Sequence, residues 1–373
     1  MVDIVIDGNY IFNRFAYAQS NSSKSFIFLE SEEDKRFLIY ATIHMLSNTF
    51  QRFKGSIGEV YFVFDSGISF RKSLYGEYKG NRQKDKVFRY SDLEKCMVNF
   101  GDITRDILNP ISYKDLEGDD LIYFISVIKA NQKRNLIIMS GDSDLRQNII
   151  NTDDSFIVCY DPFTKLYFGE SPIKDKTESF DITESLFDMN ASDLLGGLNF
   201  NGIVSTINSD SKFINPKEAL MIKILSGDKK SDNIPSCYHY QKGKTMISFT
   251  DLRAKQLLGE FGKIDSKFVT DLYLDSDFRL KIAESITNLT KTDISNKKDI
   301  SKNIIRNMDL IWLNRSVYDR YLTDFQITEC FNRIVNHKTN HNFNIKNFSD
   351  YFIGTEFEYK SYINSTDNYN RTI

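Results

Sequence analysis

Asn135-Leu136-Ile137-Ile138-Met139-Ser140-Gly141-Asp142-Ser143-Asp144 is an apolar run that passes directly into an acidic turn. Its length and its break at Ser-Gly predict a short buried strand. The pattern occurs twice upstream: Asp3–Asp7 ends on Asp7 before Gly8-Asn9, and Glu59–Asp65 ends on Asp65 before Ser66-Gly67. Helical patterns lie between these strands. Ser31 heads an acidic first turn (Glu32, Glu33, Asp34) followed by Leu38, Ala41, Met45 and Phe53, and a second helix carries Leu121, Phe124, Ile125 and Ile128. Strands alternating with helices predict an α/β fold, a mostly parallel central sheet flanked by helices on both faces. Ligands of such sheets bind beyond the carboxyl ends of the strands, where these acids fall.

Farther along, Phe156–Tyr160 and Lys165–Phe168 flank Asp161-Pro162 and predict a hairpin at the sheet edge. After about residue 200 the chain reads as helices joined by lysine-rich connections, with Pro216 starting a helix that ends near Ser226. The expected organisation is a core over 1–200, a helical lobe over 201–290, and a partly helical region over 291–373 whose last stretch lacks periodicity.

Composition narrows the class. Of the 373 residues 41% are hydrophobic and 27% charged, as in an ordinary soluble protein, and no apolar run approaches the roughly 20 residues that span a bilayer. The N-terminus begins on a strand rather than a basic-then-apolar leader, so the expected location is the cytoplasm. Cys96, Cys159, Cys237 and Cys330 are too dispersed for a zinc site or a disulfide framework. The net charge of −3 argues weakly against a nucleic-acid partner, yet the signs segregate, with acids at strand ends and cations in loops.

Asp7, Asp65, the trio Glu117, Asp119 and Asp120, and the pair Asp142 and Asp144 reach one edge of the predicted sheet from four segments. Asp228 and Asp232 add a fifth. Two unit charges about 4 Å apart repel by several kcal/mol even at an effective dielectric near 20, so such convergence calls for a cation. All-oxygen ligands select Mg2+, with Mn2+ as the alternative, and two such ions can activate water and stabilise the leaving oxygen of a phosphodiester. Singly, Asp7 and Asp65 also suit ordinary turns, and the trio suits an acidic helix start. The combination is what points to a site. Arg71, Lys72, Lys79, Arg82, Lys84, Lys86 and Arg89 oppose only Glu77 and Asp85 between Phe70 and Tyr90, interleaved with Phe70, Tyr75, Tyr78, Phe88 and Tyr90. That mixture suits single-stranded nucleic acid, although a solvated face is the plainer alternative.

In order, Tyr78-Lys79-Gly80-Asn81-Arg82, Glu117-Gly118-Asp119-Asp120, Ser140-Gly141-Asp142-Ser143-Asp144-Leu145 and Gly227-Asp228-Lys229-Lys230-Ser231-Asp232-Asn233-Ile234-Pro235 resemble the signatures of the 5′ nuclease family over about residues 1–235. The likeness is strongest to its phage members of the T-even ribonuclease H type. It departs in Gly118, where the family has alanine, in one extra residue between Asp228 and Asp232, and in a poorly kept glycine-rich hairpin after Pro235.

This resemblance implies a PIN-like 5′ nuclease core, a helical arch at about 70–95, an appended helical duplex-binding lobe and two-metal hydrolysis at 5′ ends, flaps or RNA primers. By the same resemblance Asp7, Asp65, Glu117, Asp119, Asp120, Asp142, Asp144, Asp228 and Asp232 hold metal. Lys79 and Arg82 act at the scissile phosphate, and Arg71, Tyr78, Lys84, Lys242 and Lys244 hold substrate. Implied partners are DNA with 5′ flaps or nicks, RNA–DNA hybrids, and a replication clamp or single-strand-binding protein, with no membrane. The extra residue is expected to form a bulge at Lys229-Lys230, leaving Asp232 on the second metal and Asp228 behind it. A processing ribonuclease on a related fold and a catalytically silent junction binder are the competing readings.

Overall fold

The computed structural model describes residues 1–22, 29–53, 57–80, 88–105, 107–173, 202–242 and 245–336. Its main sheet uses β1 (Val2–Asp7), β2 (Ile57–Val63), β3 (Asn109–Ile111), β4 (Asn135–Met139), β5 (Ile150–Asn151), β6 (Phe156–Asp161), β7 (Leu166–Gly169) and β8 (Ser211–Phe213). The order is β3-β2-β1-β4-β6-β7-β8, with β5 paired to β6. β1 pairs in parallel with both β2 and β4. The chain steps outward from β1 through β2 to β3, then crosses back to β4 on the other side. Strand order therefore reverses at β1, and the crevice beyond its carboxyl end is the place where sheets of this kind bind ligands.

Alternation along each strand sorts side chains onto two faces. Ile4, Ile6, Phe62, Ile137 and Met139 pack with α1 (Gly8–Ser22), α2 (Glu32–Gln51) and α4 (Tyr90–Thr104). Val5, Tyr61, Val63, Leu136 and Ile138 face the other way, onto a cluster that includes Phe70 of α3 (Phe70–Leu74), the apolar stripe of α5 (Gly118–Asn131) and the later helices. These are α6 (Pro216–Ser226), α7 (Asp251–Gly259), α8 (Ser266–Leu274), α9 (Ser276–Thr290), α10 (Lys297–Ile311), α11 (Arg315–Tyr321) and α12 (Asp324–Asn336). A two-stranded hairpin, β9 (His239–Lys242) and β10 (Thr245–Ser248), interrupts them.

Local signals act as expected at several ends. The Ser31 hydroxyl accepts from the Asp34 N–H and starts α2. Asn215 accepts from the N–H groups of Lys217 and Glu218, with Pro216 at the first helical position of α6. The hairpin after residue 156 forms as β6 and β7, but it is not the sheet edge, because β8 pairs in parallel beyond β7. The two edge strands are three residues each, too short to leave a periodic signal. The expected arch falls partly on residues 81–87 and the unassigned C-terminal stretch on 337–373, both outside the described residues. No helix among the described residues is long and apolar enough to cross a membrane.

Gly8 joins β1 to α1 where the helix approaches the sheet most closely. A Cβ there would lie 2.6 Å from Phe62 Cζ and 2.8 Å from the Val63 carbonyl oxygen, and the second contact is backbone that cannot swing away. Gly8→Ala should therefore lower unfolding free energy by about 1–3 kcal/mol, as overpacked positions do, measured by denaturant titration. A midpoint equal to the wild type's would show that this junction has slack.

Candidate active site

β1 carries an acid near each end, and the two are treated differently. Asp3 lies between cations, 3.1 Å from Lys129 Nζ and 2.5 Å from Arg134 Nη2. Asp7, also buried, receives neutral donors: the Tyr10 N–H at 2.9 Å and the Ser140 hydroxyl at 2.7 Å. Around Asp7 opens a cleft of about 410 Å³ lined by Asp65, Glu117, Asp119 and Asp142, with Arg14, Lys79 and Lys230 at its walls. Each acid sits where a strand or its following turn ends. Asp65 follows β2 and accepts the Gly118 N–H at 2.7 Å. Glu117 and Asp119 stand at the start of α5, whose positive end favours them. The Asp142 N–H donates to the Ser140 hydroxyl at 3.0 Å, and its carboxylate accepts the Asp144 N–H at 2.9 Å.

Glu117 is buried and held from three sides: Lys79 Nζ at 2.5 Å, the Tyr78 hydroxyl at 2.9 Å and Arg71 Nη1 at 3.5 Å. Lys79 has a left-handed backbone, φ 55°, and its N–H donates to the Asp232 carbonyl at 2.8 Å, which ties the entrance of the basic segment to the last acidic motif.

That motif forms a second grouping. One carboxylate oxygen each from Asp144, Asp228 and Asp232 lie within 4.8 Å of one another. α6 stops at Ser226, and residues 228–234 form a loop closed by an Asp228–Ile234 bridge, with Asn233 at φ 58°. The motif is thus a tight loop rather than a continued helix. Gly227, at φ 75°, permits it, since a Cβ would stand 2.5 Å from the Ile234 carbonyl oxygen. Both Asp228 and Asp232 face Asp144, whereas the sequence suggested that Asp228 stands behind. Lys223 bridges Asp144 and Asp228, reaching the latter at 2.7 Å.

Three expected site residues lie elsewhere. Asp120 is fully buried and gives both oxygens to Arg71, at 2.6 and 2.8 Å, so it faces the protein interior rather than the cleft. Arg71, expected on substrate, is spent on that pair and is 1% exposed. Tyr78, also expected on substrate, is 3% exposed beneath Glu117. An aromatic or a cation in this segment reads the same from sequence whether it faces solvent or supports a carboxylate. Arg82, Lys84 and Lys244 fall outside the described residues, as does the Lys242 side chain. Sequence reasoning passed over Ser140, read only as a turn residue, and Lys223, whose place just before the last acidic motif was the one available signal.

The described acids fit a hard divalent cation. The donor set is all oxygen, and the acids of the cleft raise one another's proton affinity, which a bound cation would relieve.

Residues 3–178 match the family model of the 5′-3′ exonuclease N-terminal, resolvase-like domain. A 5′-3′ exonuclease of Buchnera aphidicola is 28% identical over 158 residues, which is 41% of this chain and 50% of that protein, so the chain matches about half the length of this curated relative. Among solved structures, the 5′-exonuclease of T5 with bound zinc superposes with a TM-score of 0.52 at 15% identity, covering 90% of this chain and 99% of that one. The T5 flap endonuclease in a pseudo-enzyme–product complex with DNA and metal ions gives 0.51 at 15% identity with the same coverage. At such identity the likeness shows the fold.

Burial is the chief cause that pushes the Asp7 carboxyl up to about 7; the Tyr10 and Ser140 bonds oppose it, and Asp142 and Asp65 add to it. Asp144 is pushed up to about 7 by burial and Asp142, against Lys223, and Asp119 is raised well above the carboxylate range by burial, Asp142 and Asp7. An aspartate in the unfolded chain ionises near 3.9. Between about pH 4 and 7 the folded protein then holds protons that the unfolded chain has released, so these groups make stability fall as pH rises. In EDTA, Asp7→Asn should show a shallower decline of the thermal midpoint from pH 5 to 8 than the wild type, and Ca2+ should raise the wild-type midpoint more at pH 8 than at pH 5. Equal slopes would remove Asp7 from the titration.

Proposed function

We propose, from the match of residues 3–178 to the 5′-3′ exonuclease N-terminal, resolvase-like domain, that the protein is a two-metal 5′ nuclease acting on DNA flaps, nicks or RNA primers. The observation that carries the reading is the cleft itself, where five carboxylates from four segments, the ends of β1 and β2, the start of α5 and the turn after β4, meet at the point of strand-order reversal with cations on the walls. Asp7, Asp65, Glu117, Asp119 and Asp142 would hold one Mg2+, with Mn2+ able to replace it, and Asp144, Asp228 and Asp232 the other. Bound cations supply charge neutralisation at the phosphate and a more acidic water.

The chain's own residues do the rest. Ser140 and Tyr10 orient Asp7, and the start of α5 fixes Glu117 and Asp119. Lys79, which lines the cleft and pairs with Glu117, would meet the charge that builds on the phosphate oxygens, and Arg14 and Lys230 would line the approach of a polyanion. Arg82 joins Lys79 in this reading by its place in the sequence motif, and Lys84, Lys242 and Lys244 extend the substrate path. The narrower likeness to the ribonuclease H of T-even phages, and a clamp or single-strand-binding protein as partner, rest on the ordered sequence motifs.

A 5′-labelled flap, a nicked duplex, an RNA–DNA hybrid and a structured RNA, each with Mg2+ and with EDTA, test the proposal. Metal-dependent release of short 5′ products from the first three is expected. Asp142→Asn should cut turnover by roughly a thousandfold while DNA still binds, since it removes a ligand charge without changing shape. Lys79→Ala should slow single-turnover cleavage more than it weakens binding. Cleavage of structured RNA alone would favour a processing ribonuclease, and binding without cleavage a junction-binding protein.

A further inference from the structure

The helices near the C-terminal end of the described chain reach the candidate site through one buried chain of polar contacts. Asp120 lies at its centre with four donors: Oδ1 accepts Arg71 Nη2 at 2.6 Å and the Tyr318 hydroxyl at 2.8 Å, and Oδ2 accepts Arg71 Nη1 at 2.8 Å and the Glu117 N–H at 2.9 Å. Arg71 Nε donates to the Leu310 carbonyl at 3.0 Å, and Nη1 also reaches Glu117 Oε2 at 3.5 Å. Arg71, Asp120 and Tyr318 are each 1% exposed or less. Phe124, Tyr123 and Phe70 pack around the Tyr318 ring, with centroids 4.8, 5.4 and 6.3 Å away. The Tyr318 ring therefore has little room to turn its hydroxyl away.

We propose that Tyr318, on α11, is a positioning residue for the Glu117 carboxylate, acting through Asp120 and Arg71. Glu117 is the acid of the cleft whose backbone and side chain both touch this chain: its N–H ends on Asp120 and its Oε2 faces Arg71. Without the Tyr318 hydroxyl, Asp120 keeps the guanidinium and the Glu117 N–H, but its Oδ1 loses the second of its two donors. The Arg71–Asp120 plane is then held from one side fewer, and with it the start of α5 that presents Glu117 and Asp119. A buried ion pair of good geometry is a device for holding one arrangement more than a source of net stability. The pair spans α3, α5 and, through Leu310 and Tyr318, the end of α10 and the middle of α11, so the region after residue 291 helps to set the shape of the metal-binding edge.

The proposal rests on the metal-binding reading of the cleft, and its test is read without cleavage. Ca2+ binding is measured by calorimetry at pH 7.5, well below the thermal midpoints, for the wild type, Tyr318→Phe and Tyr321→Phe. Tyr321 lies on the same helix and donates its hydroxyl to Asp309 at 2.6 Å, away from Asp120, so it controls for loss of any hydroxyl on α11. Tyr318→Phe should bind Ca2+ roughly tenfold more weakly, as loss of a group that orients a ligand does, and Tyr321→Phe should match the wild type. Unchanged affinity in Tyr318→Phe, or an equal loss in both variants, overturns the proposal. A wild type that binds Ca2+ yet cuts no nucleic acid would fail the nuclease reading, and the comparison of the two tyrosines would still decide this one.

Discussion

Like charges held together in a cleft of buried and half-buried side chains are the constraint around which this protein is arranged. Five carboxylates line the cleft against three cations, and burial strengthens every repulsion among them. The fold answers with several devices. The first turn of α5 offers its dipole to Glu117 and Asp119. Lys79 and Arg71 approach Glu117, and Lys223 lies between Asp144 and Asp228. Among the described residues Asp7 receives only neutral donors, and its raised proton affinity is the residual strain. A solvent-facing acidic surface needs none of this, because water screens exposed charges cheaply.

The parts of this arrangement that were legible in the sequence are the ones encoded locally. Each of the three strands β1, β2 and β4 is an apolar run ending on or just before an acid, and strand polarity alone then puts Asp7, Asp65 and Asp142 at one edge. The α6 boundaries follow from Asn215-Pro216 at one end and Gly227 at the other. β3 and β8 were not legible, because three residues cannot show a period and Pro110 within β3 argues against a strand.

The buried Arg71–Asp120 pair was hidden for a different reason. Arg71 belongs to a segment whose cations looked like phosphate contacts, and Asp120 to a motif whose acids looked like metal ligands; both readings follow from residue type. Which acid of Glu117, Asp119 and Asp120 turns inward depends on what packs behind α5. That is Tyr318, 198 residues away in sequence. No window along the chain holds both partners, so only the tertiary fold could assign Asp120 to support.

The two groupings of acids are consequently unequal. The cleft around Asp7 keeps its charge excess and its access to solvent, while Asp144 and Asp228 already share an ammonium group, Lys223; burial disfavours its charge, and the two carboxylates outweigh burial and raise its proton affinity. A divalent cation entering the first grouping relieves repulsion outright, whereas one entering the second must also displace or reorient a paired lysine, which offsets part of the gain. Asymmetry of this kind follows from the loop at 228–234: its bridge brings Asp228 back over α6, onto the face that carries Lys223 one turn earlier. A helix continued regularly through the motif would have carried Asp228 about 140° around the axis from Lys223, five residues at 100° each, and separated the acid from the ammonium that now neutralises it.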